Sequence, residues 1–173
     1  SEEREKEQWN NAVHLSAAKD MARKSIVLLK NENSILPLST SAKKVALIGP
    51  LIKSIKDHLG FWSYDWDDDT ARSPSLYDSM QKKLSSDAKL LYAKGCEITD
   101  TSTAGFAEAI ETAKQADIVV MYVGEHRAMS GEAKSKSNIH MPGVQEDLIK
   151  AIHATGKPVV VIIGAGRPLI FNW

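Results

Sequence analysis

The sequence predicts an α/β fold: a three-layer sandwich with a mainly parallel sheet, helices on both of its faces, and an incomplete C-terminus. Runs rich in β-branched residues, among them Asp117-Ile-Val-Val-Met-Tyr-Val-Gly124 and Pro158-Val-Val-Val-Ile-Ile-Gly164, are apolar at nearly every position, as strands buried on both faces of a parallel sheet must be. Between such runs lie amphipathic stretches of about 10–14 residues, and that alternation predicts crossover helices rather than hairpins. The ending is the third observation. The chain stops at Ile170-Phe-Asn-Trp173, just past an apolar run, whereas domain boundaries usually fall in polar linkers. The parent protein is therefore expected to continue past Trp173 and to extend before Ser1.

Taken in order, residues 3–30 read as one helix, because Trp9, Val13, Ala17, Met21 and Ile26 recur at roughly helical spacing among charges, with no Pro or Gly between them. A turn and a short extended piece follow over 31–38, since Pro37 pushes Leu36 out of the helical region. Residues 45–48 form the first strand, closed by Gly49-Pro50. The polar and aromatic stretch 57–75 reads as a long loop, and long ordered loops are often functional. Leu76, Met80 and Leu84 mark a helix over 75–84, with Ser73 or Ser75 as its cap, and residues 89–93 form the second strand. Phe106, Ala109, Ile110 and Ala113 line one face of a helix over 105–116, which leads directly into the strand at 117–124. The last helix spans 142–155, with Pro142 and Gly143 at its start and Gly156 as its stop, and the last strand spans 158–163.

Composition narrows the function classes. Twenty-two basic residues balance 22 acidic ones, so no global field would gather a polyanion, and nucleic acid is not an expected partner. No stretch approaches the roughly 18 apolar residues of a membrane span, so no membrane partner is expected either. The charged start, Ser1-Glu-Glu-Arg-Glu-Lys6, does not read as a secretory signal. Cys96, the single cysteine, can form neither an internal disulfide nor a Cys-rich zinc site.

Familiar cofactor motifs fail on their particulars. Gly164-Ala-Gly166-Arg-Pro-Leu169 begins like a dinucleotide fingerprint, but it lacks the third glycine and puts Pro168 where a helix would open. The histidines at 14, 58, 126, 140 and 153 form no His-Glu-x-x-His pair, and the acidic run 65–69 lacks the spacing and glycine of a calcium loop. No metal and no cofactor are expected. Two loops at strand ends remain. One carries Trp62 and Trp66 among acids; the other carries Glu125 and Glu132 directly after an apolar strand, where α/β proteins place catalytic groups. Aromatic faces beside hydrogen-bonding acids suit a sugar ring, whose C–H faces pack on indole while its hydroxyls need acceptors. A loop carboxylate there can be an acid, a base, a ligand or a surface charge.

A resemblance bears on that choice. Arg23-Lys-Ser-Ile-Val-Leu-Leu-Lys-Asn31, Ile35-Leu-Pro-Leu38 and Val45-Ala-Leu-Ile-Gly-Pro50 are followed, in the same order as in the family, by Gly60-Phe-Trp-Ser63, Ala113-Lys-Gln-Ala-Asp-Ile-Val-Val120 and Val123-Gly-Glu125. Met129-Ser-Gly-Glu132, Pro142-Gly-Val-Gln-Glu-Asp-Leu-Ile149, Gly156-Lys-Pro-Val-Val-Val161 and Gly166-Arg-Pro-Leu169 complete the series. Together they resemble the second, C-terminal α/β sandwich domain of glycoside hydrolase family 3, on the side of the periplasmic β-glucosidases. The resemblance implies that residues 1–40 are a helical segment and linker leading from a missing (β/α)8 barrel, and that residues 41–173 are a partial sandwich domain.

It further implies an exo-acting, retaining β-glycosidase, β-glucosidase-like, whose partners are a β-linked oligosaccharide or glycoside and the barrel itself. The aspartate nucleophile would come from the barrel, outside this chain, and Glu132 of Met-Ser-Gly-Glu would be the general acid/base, with Glu125 as runner-up. Such a mechanism needs two carboxyls about 5–5.5 Å apart, one ionised and one protonated. Trp66 resembles a family tryptophan lining the leaving-group side of the pocket, and Trp62 supports its loop. A periplasmic or extracellular location goes with the same resemblance. Without the barrel, this polypeptide alone is expected to be inactive. Two other readings stand beside it: a non-catalytic sugar-binding or scaffolding module, and a small nucleotide-binding domain.

Overall fold

The computed structural model describes residues 1–9, 11–39, 41–63 and 73–170. They divide into two units, Ser1–Pro37 and a second that begins at Leu38. In the first unit, α1 spans Glu2–Gln8 and α2 spans Ala12–Lys24, where the sequence reading expected one helix through 30. Local capping chemistry explains the break. Trp9 is extended (φ −67°, ψ 118°), and the Asn11 side chain accepts the His14 N–H at 3.0 Å, which starts a new helix. At the far end the Ser25 hydroxyl donates back to the Met21 carbonyl, and the β-branched pair Ile26-Val27 does not continue the helix. Neither helix has a buried residue, so the apolar stripe read from the sequence (Trp9, Val13, Met21) is exposed.

The second unit is the predicted α/β layer structure. Strands β1 (Lys44–Ile48), β2 (Lys89–Ala93), β3 (Ile118–Gly124) and β4 (Val159–Gly164) form one sheet in the order β2-β1-β3-β4. All three pairings are parallel, with Val45 facing Leu90 on one side and Ile118 on the other. Helix α3 (Leu76–Lys83) connects β1 to β2, α4 (Phe106–Lys114) connects β2 to β3, and α5 (Gln145–His153) connects β3 to β4. Side-chain alternation along the strands sorts the core into two layers. Ala46, Ile48, Val119, Met121 and Val123 pack with Ala109 and Ala113 of α4 and with Leu148, Ile149 and Ile152 of α5. Val45, Leu47 and Val120 pack on the opposite face with Leu76, Tyr77 and Met80 of α3.

The helix starts follow from local chemistry. Ser75, the second of the two candidate caps, accepts the Asp78 N–H at 3.2 Å. Helix α5 opens at Gln145 rather than 142, because Gly143 is held at φ +63°, outside the helical region. The chain leaves β1 toward β2 on one side and returns to β3 on the other. The carboxyl ends of β1 and β3 therefore flank a topological switch point, where open α/β sheets form their ligand crevice.

Candidate active site

Both loops singled out from the sequence leave the sheet at this switch point. The loop after β1 carries Asp57, Phe61 and Trp62; the loop after β3 carries Glu125 through Lys136. Asp57 joins the two. Its carboxylate accepts the Ser54 hydroxyl at 2.6 Å and the Arg127 N–H at 3.0 Å, and His126 Nε2 lies 3.5 Å from it.

Glu132 occupies the corner of a tight turn. The Lys134 N–H donates to the Gly131 carbonyl at 3.3 Å, and Ala133 sits at φ +56°, which gives the 131–134 turn its type II character. The Glu132 side chain points from an exposed position, and among the described residues nothing pairs with it. Gly131 is at φ +118° and has the Phe61 ring against it: a Cβ there would come within 2.2 Å of Phe61 Cδ1. Phe61 in turn meets Trp62 edge to face at a centroid distance of 5.1 Å, with Trp62 75% exposed. The aromatic loop thus touches the acid loop one residue from Glu132. Among the described residues, Phe61 makes this contact between the two loops, and Trp62 is exposed beside it. Trp66 lies in residues 64–72, outside the described residues. Replacing Gly131 with Ala is expected to cost about 1–3 kcal/mol, from the disfavoured φ and the forced retreat of Phe61, and the loss reads out as a lower urea midpoint.

Glu125 has the opposite surroundings. It is 4% exposed, Lys136 Nζ lies 2.8 Å from Oε1, and Arg167 Nε lies 3.3 Å from Oε2. Its backbone N–H donates to the Gly164 carbonyl at 2.8 Å, which fixes it to the end of β4. A carboxylate so enclosed is held between its two cationic partners at the end of the sheet.

Residues 26–173 match the glycosyl hydrolase family 3 C-terminal domain. The chain belongs to this family. The family 3 domain is 40% identical over 165 residues to a beta-xylosidase of Formosa agariphila, covering 92% of this chain and 22% of that protein. It is 39% identical over 177 residues to a periplasmic beta-glucosidase of Salmonella typhimurium, covering 91% of this chain and 23% of the relative. Its fold matches the crystal structure of a beta-glucosidase from Listeria innocua in complex with glucose, with a TM-score of 0.80 and 30% identity over 93% of this chain and 21% of that one. The chain therefore spans between a fifth and a quarter of the length of these relatives.

Three residues whose contacts shape the two loops escaped the sequence reading. Gln145 is fully buried; its Nε2 donates to the carbonyls of Gly124 (2.8 Å), Ile98 (3.0 Å) and Pro142 (3.1 Å), while its Oε1 accepts the Gly124 N–H at 2.9 Å. That one amide ties the end of β3 to the loop after β2. Arg167 and Lys136 are the other two. A polar residue opening a helix, or a basic residue in a loop, reads as solvated when its distant partners are unknown.

Cys96 is 7% exposed, and burial, aided by Glu97 and opposed by Lys94, pushes its thiol up to about 11. Burial, with Asp57 adding, also raises the Tyr122 phenol. Both groups stay neutral in the fold at a pH where the unfolded chain would ionise them. The fold therefore binds more protons, and stability falls as pH climbs from about 9 through about 11. The Cys96 contribution alone is expected to reach about 2–3 kcal/mol. Urea midpoints compared between pH 8 and pH 11 measure it, and Cys96→Ala should flatten the dependence.

Proposed function

We propose that this domain supplies the general acid/base of an exo-acting, retaining β-glycosidase of the β-glucosidase or β-xylosidase kind. Residues 1–40 would lead in from a preceding (β/α)8 barrel, and the barrel would bring the aspartate nucleophile. The observation that carries the reading is the contrast between the two candidate acids: Glu132 stands exposed on an anchored turn at the switch point, while Glu125 is enclosed by Lys136 and Arg167.

In the first half-reaction the nucleophile attacks the anomeric carbon while the Glu132 carboxyl passes its proton to the departing glycosidic oxygen. In the second, the Glu132 carboxylate takes a proton from the water that releases the sugar. Trp62, exposed beside the Phe61 ring, and Trp66 would be the substrate-binding tryptophans, with Trp66 assigned to the leaving-group side by its resemblance to the family tryptophan. The exposed apolar stripe of α1 and α2 fits a segment covered by the barrel in the parent. The periplasmic relative supports a periplasmic or extracellular location for the parent.

The test is the stereochemistry of the full-length parent acting on aryl β-glucosides and β-xylosides, followed by proton NMR. A β-configured sugar as the first product is expected. An α-configured first product would overturn the retaining mechanism, and a parent inert on every β-glycoside offered would favour a non-catalytic sugar-binding module instead.

A further inference from the structure

We infer that Arg167 is the positioning residue for Glu132, closing the neck of the turn that carries the acid, and that Glu125 and Lys136 hold the guanidinium for that task. The inference rests on the assignment of Glu132 as proton donor. Nη2 of Arg167 donates to the carbonyls of both Met129 and Lys134, the two residues that flank 130–133. A single planar group therefore pins both legs of the turn. Nε of the same guanidinium faces Glu125, which is itself fixed to β4 through Gly164 and paired with Lys136 at the loop's far end. The path of contacts runs from the sheet to Glu125, to Arg167, to the neck of the turn, and so to Glu132. Gly166 brings the backbone against the same turn, since a Cβ there would lie 2.0 Å from Ser130 Oγ.

Stability alone does not account for this arrangement. Burying a carboxylate against a guanidinium costs desolvation that apolar side chains of similar size would avoid. Here neither Glu125 Oε2 nor Arg167 Nε completes a hydrogen bond, so the pair is not optimised as a pair. What the guanidinium does complete is the bridge across the turn. Lysine, with a compact ammonium on a flexible stem, cannot hold both carbonyls and face Glu125 at once.

The experiment uses the full-length parent with Arg167→Lys, Glu132→Gln and the double variant. For a disaccharide or alkyl glycoside, whose leaving group needs a proton, Arg167→Lys is expected to lower kcat/KM by about 10- to 100-fold, the range for a misplaced catalytic group. For a dinitrophenyl glycoside, whose leaving group departs unprotonated, the loss should stay below about threefold. In the Glu132→Gln background, Arg167→Lys should cause no further loss on the first substrate, because it acts through Glu132. Equal losses on both substrates, or additive losses in the double variant, would overturn the inference and leave Arg167 a packing residue. The two readings fail separately: if Glu132→Gln shows no dependence on leaving group, the proton-donor assignment falls and takes the inference with it. If Glu132→Gln shows that dependence and Arg167→Lys does not, only the inference falls. Should Arg167→Lys not fold, Lys136→Met keeps Arg167 and removes the cation at the loop's far end. It should show the same leaving-group selectivity at about tenfold, and an unselective loss would overturn the inference equally.

Discussion

In the full-length parent, Glu132→Gln is expected to lower kcat/KM by about 10²–10⁴-fold on glycosides with poor leaving groups, the usual worth of a positioned general acid. Gln keeps the shape of the turn corner and removes only the transferable proton, so the loss reports chemistry rather than folding. On activated aryl glycosides the first half-reaction should proceed with little loss, and the glycosyl-enzyme should then accumulate for want of a base. Added azide, a nucleophile that needs no deprotonation, should restore turnover and yield a β-glycosyl azide. Unchanged kinetics on every substrate would remove Glu132 from the mechanism. The same pattern at Glu125→Gln, with Glu132→Gln unaffected, would exchange their roles. The expected result at Glu125 is different: its partners Lys136 and Arg167 would lose a buried counter-charge, and the first consequence should be a less stable loop.

The largest effect on stability is expected at Gln145. Gln145→Leu fills much of the same volume but withdraws a donor shared by three carbonyls and the acceptor of the Gly124 N–H, all at a buried strand end. An unsatisfied buried polar group costs about 1–3 kcal/mol, and several arise here together, so a loss of roughly 3–5 kcal/mol is expected in urea unfolding with an unchanged denaturant slope. Gln145→Glu separates the two functions of the amide. A carboxylate can still accept from Gly124 but can donate to none of the three carbonyls, so it should be no better tolerated than Leu. A loss below about 1 kcal/mol for either substitution would mean that water replaces the amide without difficulty. Because Gly124 precedes Glu125, a loosened strand end should also loosen the anchor of the acid loop.

The parts of the fold visible in the sequence are those governed by local periodicity. β2 coincides with the strand read at 89–93, and β1, β3 and β4 agree with their expected spans to within a residue at each end, because a strand buried on both faces must be apolar at successive positions. Helices α3 and α4 announced themselves by apolar faces and, for α3, by the Ser75 cap. The difference at residues 3–30 has a physical source. The apolar spacing runs unbroken through Asn11, but a side-chain cap competes locally with the helix, and among the described residues of that unit none is buried to override it.

The α/β class and the strand positions were legible in the sequence alone. The sequence also carried, through motif order, the two loops that bear Glu132 and the tryptophans. That these loops flank one switch point and meet through Phe61 and Gly131 emerges only in the folded chain. The two glutamates, indistinguishable as loop carboxylates in the sequence, were likewise separated only by the fold into an exposed side chain and a buried anchor. The reason lies in the range of the forces. Strand and helix periodicity is written within a few residues, whereas, Pro142 apart, the side-chain partners of Glu125 and Gln145 come from segments 11 to 47 residues away, and no local pattern records who will be neighbours.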